Sequence, residues 1–271
     1  MPTHYLILQF DDDESQYEHA LDIMRSYGYK GVLSVPTYFI GRPDYVHVEG
    51  MVCRKVDPTP RMELRPMTWD QVREFARAGW EIASHSKWHT CLGTDEPTIM
   101  REVYESYDDL ARMGFPPTTF CAPGGFTGYT WATYEVKWAQ TRYRFISGLG
   151  IGDPEINPIV RSGLLLSRGL TAGRYYNLHK VPGWLDELKR RGGIMILIFH
   201  RLYPEPKEGD EANNLTPEQF TWVLDQVKAR RVNVVRYEDL AVEHAALIPA
   251  GVGIATITGT ILYNELRKAI R

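Results

Sequence analysis

The chain lacks most features that would set it apart from ordinary globular proteins. Its 271 residues include three scattered cysteines, Cys53, Cys91 and Cys121, and no C-x-x-C pair, so no disulfide framework holds it together. Neither charge is in excess. With 31 basic and 34 acidic residues the formal net charge is −3, which gives no electrostatic footprint for nucleic acid. No repeat and no low-complexity linker divides the chain, and its composition excludes collagen-like and disordered classes. The first thirteen residues have no basic n-region and only a short apolar run, Tyr5–Leu8 with Phe10. A cleavable secretory signal is therefore not expected in this chain. The expected location is the cytoplasm, or outside by a route that does not use such a signal.

One absence is local. From His244 to Asn264 there is no Asp, Glu, Lys or Arg. Ala245–Tyr263 is about long enough to cross a bilayer, and Arg267, Lys268 and Arg271 follow it. Pro249, with three glycines and three threonines, leaves the stretch only borderline apolar. Its β-branched residues over 254–261 also suit a strand. Residues 244–271 are therefore expected to form an appendix, a docking strand or arm in preference to a membrane anchor. Its role would be attachment, with an oligomer or larger assembly as partner. Residues 1–243 read as one catalytic domain.

Within that domain, short apolar runs alternate with amphipathic helical patterns. Strands are expected at Tyr5–Phe10, Gly31–Val35, Trp80–Ser84, Thr118–Ala122 and Val232–Val235, and more weakly at Arg144–Ser147 and Leu164–Ser167. Gly193–Phe199 is apolar throughout, as a strand buried on both faces requires. Thr68-Trp69-Asp70-Gln71 and Thr216-Pro217-Glu218-Gln219 are capping-box patterns that open helices. Pro97 opens another helix, with Met100, Val103, Tyr107 and Leu110 on one face. Such alternation argues for an α/β fold with a parallel sheet, open or closed into a barrel, and the length suits a barrel. The section between Thr37 and Arg65 has no clear periodicity and reads as a loop.

The polar residues are placed where such folds bind ligands. Asp11, Asp12 and Asp13 follow the first strand, His85 and His89 follow Trp80–Ser84, Pro123-Gly124-Gly125 follow Thr118–Ala122, and His200 ends Gly193–Phe199. In parallel α/β sheets the C-terminal strand ends carry the site. His85 and His89 are at i, i+4, so either a helix face or a tight loop brings the imidazoles together. Two imidazoles and one carboxylate leave coordination positions open, as catalytic metal sites do. Of two adjacent aspartates pointing different ways, one can bind metal while the other acts as a base.

These residues resemble the polysaccharide deacetylase family, metal-dependent carbohydrate esterases with a distorted (β/α) barrel. Gln9-Phe10-Asp11-Asp12-Asp13 stands in the place of the family's Thr-Phe-Asp-Asp-Gly. His85-Ser86-Lys87-Trp88-His89-Thr90 is similar to its His-Ser/Thr-x-x-His-Pro. Phe120-Cys121-Ala122-Pro123-Gly124-Gly125 and Ile196-Leu197-Ile198-Phe199-His200 resemble two later motifs, in the family's order. The resemblance implies Asp11 as general base, His200 as general acid, and Asp12, His85 and His89 as ligands of a divalent metal. Zinc is the usual ion, with cobalt, nickel or iron as other fits. Pro123, Gly124, Gly125, Trp88 and Phe126 are expected to line the substrate site.

The chain departs from the family at three places. Asp13 replaces a glycine. Cys121 replaces an arginine that often orients the base. No copy of the motif that supports the acidic histidine is found, and Arg168, Arg174 and Asp153 are candidates for that task. The function expected is removal of acetyl groups from an N- or O-acetylated carbohydrate. A second reading keeps barrel and metal but takes a small cyclic imide or ureide. A third is a non-catalytic carbohydrate-binding or structural component docked by the C-terminal appendix.

Overall fold

A computed structural model describes residues 2–12, 16–42, 45–46, 54–55, 66–89, 95–123, 130–149, 153–169, 177–204 and 215–243. The expectations for Asp13, Cys53, Cys91, Gly124, Gly125, Phe126, Arg174 and residues 244–271 lie outside them.

Strand β1, His4–Asp11, is buried along its whole length, and its side chains alternate between two compartments. Leu6, Leu8 and Phe10 join the large apolar cluster beneath the helices. Tyr5 and Ile7 join a separate cluster with Phe145, Ile194, Ile196 and Tyr237. Gln9 and Asp11 continue this second, inward column. Each large apolar side chain buried this way contributes about 1.5–3 kcal/mol, so the alternation pins the register. A one-residue slip would send Asp11 to the wrong face.

The other strands of the main sheet are β2 (Val32–Val35), β5 (Glu81–Ser84), β6 (Thr119–Cys121), β7 (Phe145–Leu149), β8 (Gly163–Gly169), β9 (Gly193–Phe199) and β10 (Asn233–Val234). Their order is β10-β1-β2-β5-β6-β7-β8-β9, and β1 also pairs with β9. That pairing closes a parallel ring of β1, β2, β5, β6, β7, β8 and β9. Strand β1 meets β2 only over Gln9–Asp11, while β10 meets β1 lower down, at Tyr5 and Leu6. The barrel is thus distorted, as expected, with β10 wedged beside the lower half of β1.

Helices flank the ring: α1 (Leu21–Tyr27, entered through a π-helical turn at Gln16–Ala20), α2 (Trp69–Arg77), α3 (Glu96–Arg112), α4 (Thr130–Ala139), α5 (Val181–Arg191), α6 (Pro217–Arg230) and α7 (Tyr237–Glu243). Both capping boxes form. Thr68 and Thr216 each exchange hydrogen bonds with the glutamine three residues on, at 2.7–3.2 Å. Gly28 ends α1 in the left-handed region, at φ 72°. Between Thr37 and Arg65, read as a loop, the structure places a short antiparallel pair, β3 (Tyr45–Val46) with β4 (Arg54–Lys55). Among the described residues no helix is long and apolar enough to cross a membrane.

Helix α7 closes the lower end of the barrel. Its first turn is tied down by the buried carboxylate of Glu81, which accepts Glu238 N at 3.0 Å and the hydroxyls of Thr118 and Thr119 at 2.8 and 2.6 Å. Burial raises the Glu81 carboxyl above its ordinary range. Arg236 donates to Gly79 O at 2.8 Å and pairs with Asp239. Tyr237 is carried from this plug into the barrel interior, where it is fully buried.

Candidate metal centre

Asp12 leaves β1 with φ at +83°, a left-handed turn that aspartate tolerates better than most residues. The turn separates it from Asp11. Asp11 stays on the inward face, 3% exposed, with its carboxylate accepting from Gln9 Nε2 at 2.9 and 3.1 Å and from the Ser34 hydroxyl. Asp12 instead presents Oδ1 to His85 Nε2 at 3.4 Å and to His89 Nε2 at 3.5 Å. The adjacent carboxylates therefore point different ways.

His85 and His89 belong to a tight loop and not to a helix. Ser86 and His89 have φ of +63° and +53°, and such strained backbone in non-glycine residues clusters at functional sites. Ser86 Oγ accepts His89 N at 3.0 Å. Neighbouring segments hold the loop from outside: Thr37 N and Tyr38 N donate to Ser86 O and Lys87 O at 3.2 and 2.9 Å. On the other side Glu102 of α3, 2% exposed, accepts Lys87 N at 2.9 Å and Trp88 N at 2.8 Å through one oxygen. Glu102 was not singled out in the sequence. It lies on a helix face by spacing alone, and only the tertiary contact reveals its role.

The donor set suits a divalent ion. His85 Nδ1 lies 2.9 Å from Cys121 O. A carbonyl only accepts, so Nδ1 carries the proton and Nε2 keeps its lone pair. That lone pair faces the Asp12 carboxylate and His89 Nε2, which is 3.1 Å away. Ligand atoms about 2.0–2.2 Å from a tetrahedral zinc stand about 3.3–3.6 Å apart. The three separations here, 3.1, 3.4 and 3.5 Å, come close to that edge length. All three side chains are buried, and three protein ligands leave room for water and substrate.

His200 follows β9 directly. Phe10 and Phe199 stand opposite each other in the β1–β9 register, which places His200 at the strand end beside Asp11. Gln16 binds both ends, donating through Nε2 to Asp11 O and to His200 O. His200 is partly exposed, in contrast to the buried Asp12, His85 and His89. Asp153, one candidate for its support, pairs with Lys180 at 2.8 Å. The side chain of Arg168 lies outside the described residues.

Cys121 is fully buried, and burial, then the negative charge of Asp11, push its thiol well above the ordinary range. It remains a neutral, small side chain at the position of the missing arginine. Pro123 ends the β6 segment and is buried. Trp88 is half-buried, with Tyr38 at 6.0 Å between ring centroids and the cations of Lys87 and Arg101 at 4.9 and 5.4 Å from its ring.

A family model described as polysaccharide deacetylase matches residues 1–141. No curated protein sequence matches the chain. Among solved structures, a Mycobacterium smegmatis protein assigned to the polysaccharide deacetylases superposes with a TM-score of 0.59 at 16% identity, over 94% of this chain and 96% of that one. A peptidoglycan N-acetylglucosamine deacetylase aligns with a TM-score of 0.54 at 11% identity, over 88% of each chain. A mutant of a family 4 carbohydrate esterase pseudoenzyme with restored activity gives 0.50 at 12% identity, over 89% of this chain and 68% of that one. At these identities the superpositions establish the shared fold.

Proposed function

The chain belongs to the polysaccharide deacetylase family, and from that premise we propose that it is a metal-dependent hydrolase releasing acetate from an N- or O-acetylated carbohydrate. The observation that carries this reading is the convergence of Asp12, His85 and His89 beside a separately held Asp11. A divalent ion held by those three side chains, zinc by preference, would supply Lewis acidity for an acetyl carbonyl and lower the pKa of water.

The chain's own residues then divide the proton transfers. Asp11, held at the end of β1, takes a proton from the attacking water. His200, at the neighbouring strand end and partly open to solvent, gives a proton to the departing nitrogen or oxygen. One base and one acid on separate strands suit acyl hydrolysis, where the nucleophile and leaving group occupy different sides of the carbon. In this reading Trp88, Pro123, Gly124, Gly125 and Phe126 line the substrate path.

Acetate release decides the matter. Zinc-loaded protein is expected to release acetate from an acetylated chitooligosaccharide or an acetylated xylan fragment, and chelated protein is not. Hydrolysis of cyclic imides in place of both would transfer the site to a small-ring substrate. Inactivity of metal-loaded protein on every probe would leave a carbohydrate-binding role.

A further inference from the structure

We infer that Gln9 and Tyr237 are positioning residues that together aim the Asp11 carboxylate, through neutral hydrogen bonds rising from inside the barrel. The inference rests on the reading of Asp11 as the base. Gln9 Nε2 lies 2.9 Å from one oxygen of Asp11 and 3.1 Å from the other. A single nitrogen shared by both oxygens sets the plane of the carboxylate, because rotation about its Cβ–Cγ bond lengthens one contact. An amide can flip end for end, however, and the flipped form would set oxygen against oxygen.

Tyr237 secures the productive form. A carboxylate acting as a base only accepts, so Nε2 faces Asp11 and Oε1 is left to the Tyr237 hydroxyl, 2.8 Å away across 228 residues of sequence. Burial keeps the phenol well above its ordinary pKa, so it retains the proton that it donates to Oε1. The Tyr237 ring packs among Tyr5, Ile7, Phe145, Ile194 and Ile196, with the Ser147 hydroxyl near its own. A phenylalanine would fill nearly the same volume there without a hydroxyl to satisfy. The hydroxyl's partner is Gln9, and Gln9's partner is Asp11. Helix α7, fastened through Glu81 and Arg236, makes the reach possible.

The position of a family arginine is held by Cys121, whose thiol stays neutral. Among the described residues, the support that the Asp11 carboxylate receives is uncharged: one amide and the Ser34 hydroxyl.

The test uses the full zinc-loaded chain, with acetylated chitooligosaccharide and 4-nitrophenyl acetate as probes. Tyr237→Phe is expected to lower kcat about tenfold and Gln9→Met about thirtyfold, as befits hydrogen bonds to a charged group. KM and zinc stoichiometry should hold, and Tm should fall by no more than a few degrees. Because the two residues act in series, the double variant should be no slower than Gln9→Met alone. Losses that multiply, or that track Tm or zinc content, would overturn the inference, as would an unchanged kcat. A second readout needs no turnover: the Gln9 side-chain amide resonance should move in Tyr237→Phe, and an unmoved resonance also overturns it. Wild-type inactivity on both probes would instead sink the deacetylase reading, whatever the resonance does.

Discussion

The carbonyl of Cys121 accepts the Nδ1 proton of His85 at 2.9 Å, so a backbone atom of one strand end chooses the tautomer of a histidine on the next. The lone pair this leaves on Nε2 is what suits the Asp12, His85 and His89 cluster to a cation. Replacing Asp12 by Asn keeps its size and removes its charge. Zinc affinity, read by competition with a chromogenic chelator, should fall at least 100-fold, beyond the roughly 10–100-fold typical of outer-shell partners. Unaltered zinc affinity would remove Asp12 from the ligand set.

Glu102 should matter to metal binding without touching the metal. It holds the two backbone N–H groups between the histidines. In Glu102→Ala those groups lose a charged acceptor, and zinc affinity should drop roughly tenfold as the loop loosens. Glu102→Gln, whose amide oxygen can accept both, should recover most of the loss. Equal zinc titrations for the alanine variant and the wild type would show that the loop is held by Thr37, Tyr38 and Ser86 alone.

His200 is expected to act on the proton and not on the ion. His200→Ala should reduce kcat by about 10²–10⁴, the usual contribution of a general acid, while zinc stoichiometry by elemental analysis stays at the wild-type value. Loss of zinc together with activity would move His200 into the ligand set.

Glu135, on α4, is buried, and burial followed by the negative charge of Glu102 raises its carboxyl well above the ordinary range. The folded protein therefore keeps a proton that the unfolded chain releases near pH 4.3 or so. Its contribution to stability is complete below that unfolded value and is lost as pH rises through the folded one. Glu135→Gln, neutral at every pH, should flatten this alkaline decline. Urea midpoints at pH 5 and pH 8 measure it, and a wild-type decline identical to that of Glu135→Gln would clear Glu135 of responsibility.

Much of the architecture was legible in the sequence because it depends on local rules. The apolar run of β1, the apolar run of β9 and both capping boxes are each read from a few neighbouring residues, and each occurs where expected. Helices α4, α5 and α7 were not assigned. For α7 the reason is physical: seven residues are too few to show a period, and its helix is fixed by docking to Glu81 and Gly79.

The site divides in the same way. Residue type and spacing alone single out Asp11, Asp12, His85, His89 and His200, because strand ends in a parallel sheet must converge. That His85 and His89 meet through a strained loop, that Asp11 turns inward while Asp12 turns to the histidines, and that Glu102 and Tyr237 hold these groups from 13 and 226 residues away along the chain, measured from His89 and Asp11, was decided only by tertiary structure. Hydrogen bonds between distant segments depend on how the barrel closes, and closure is a property of the whole ring, not of any segment in it.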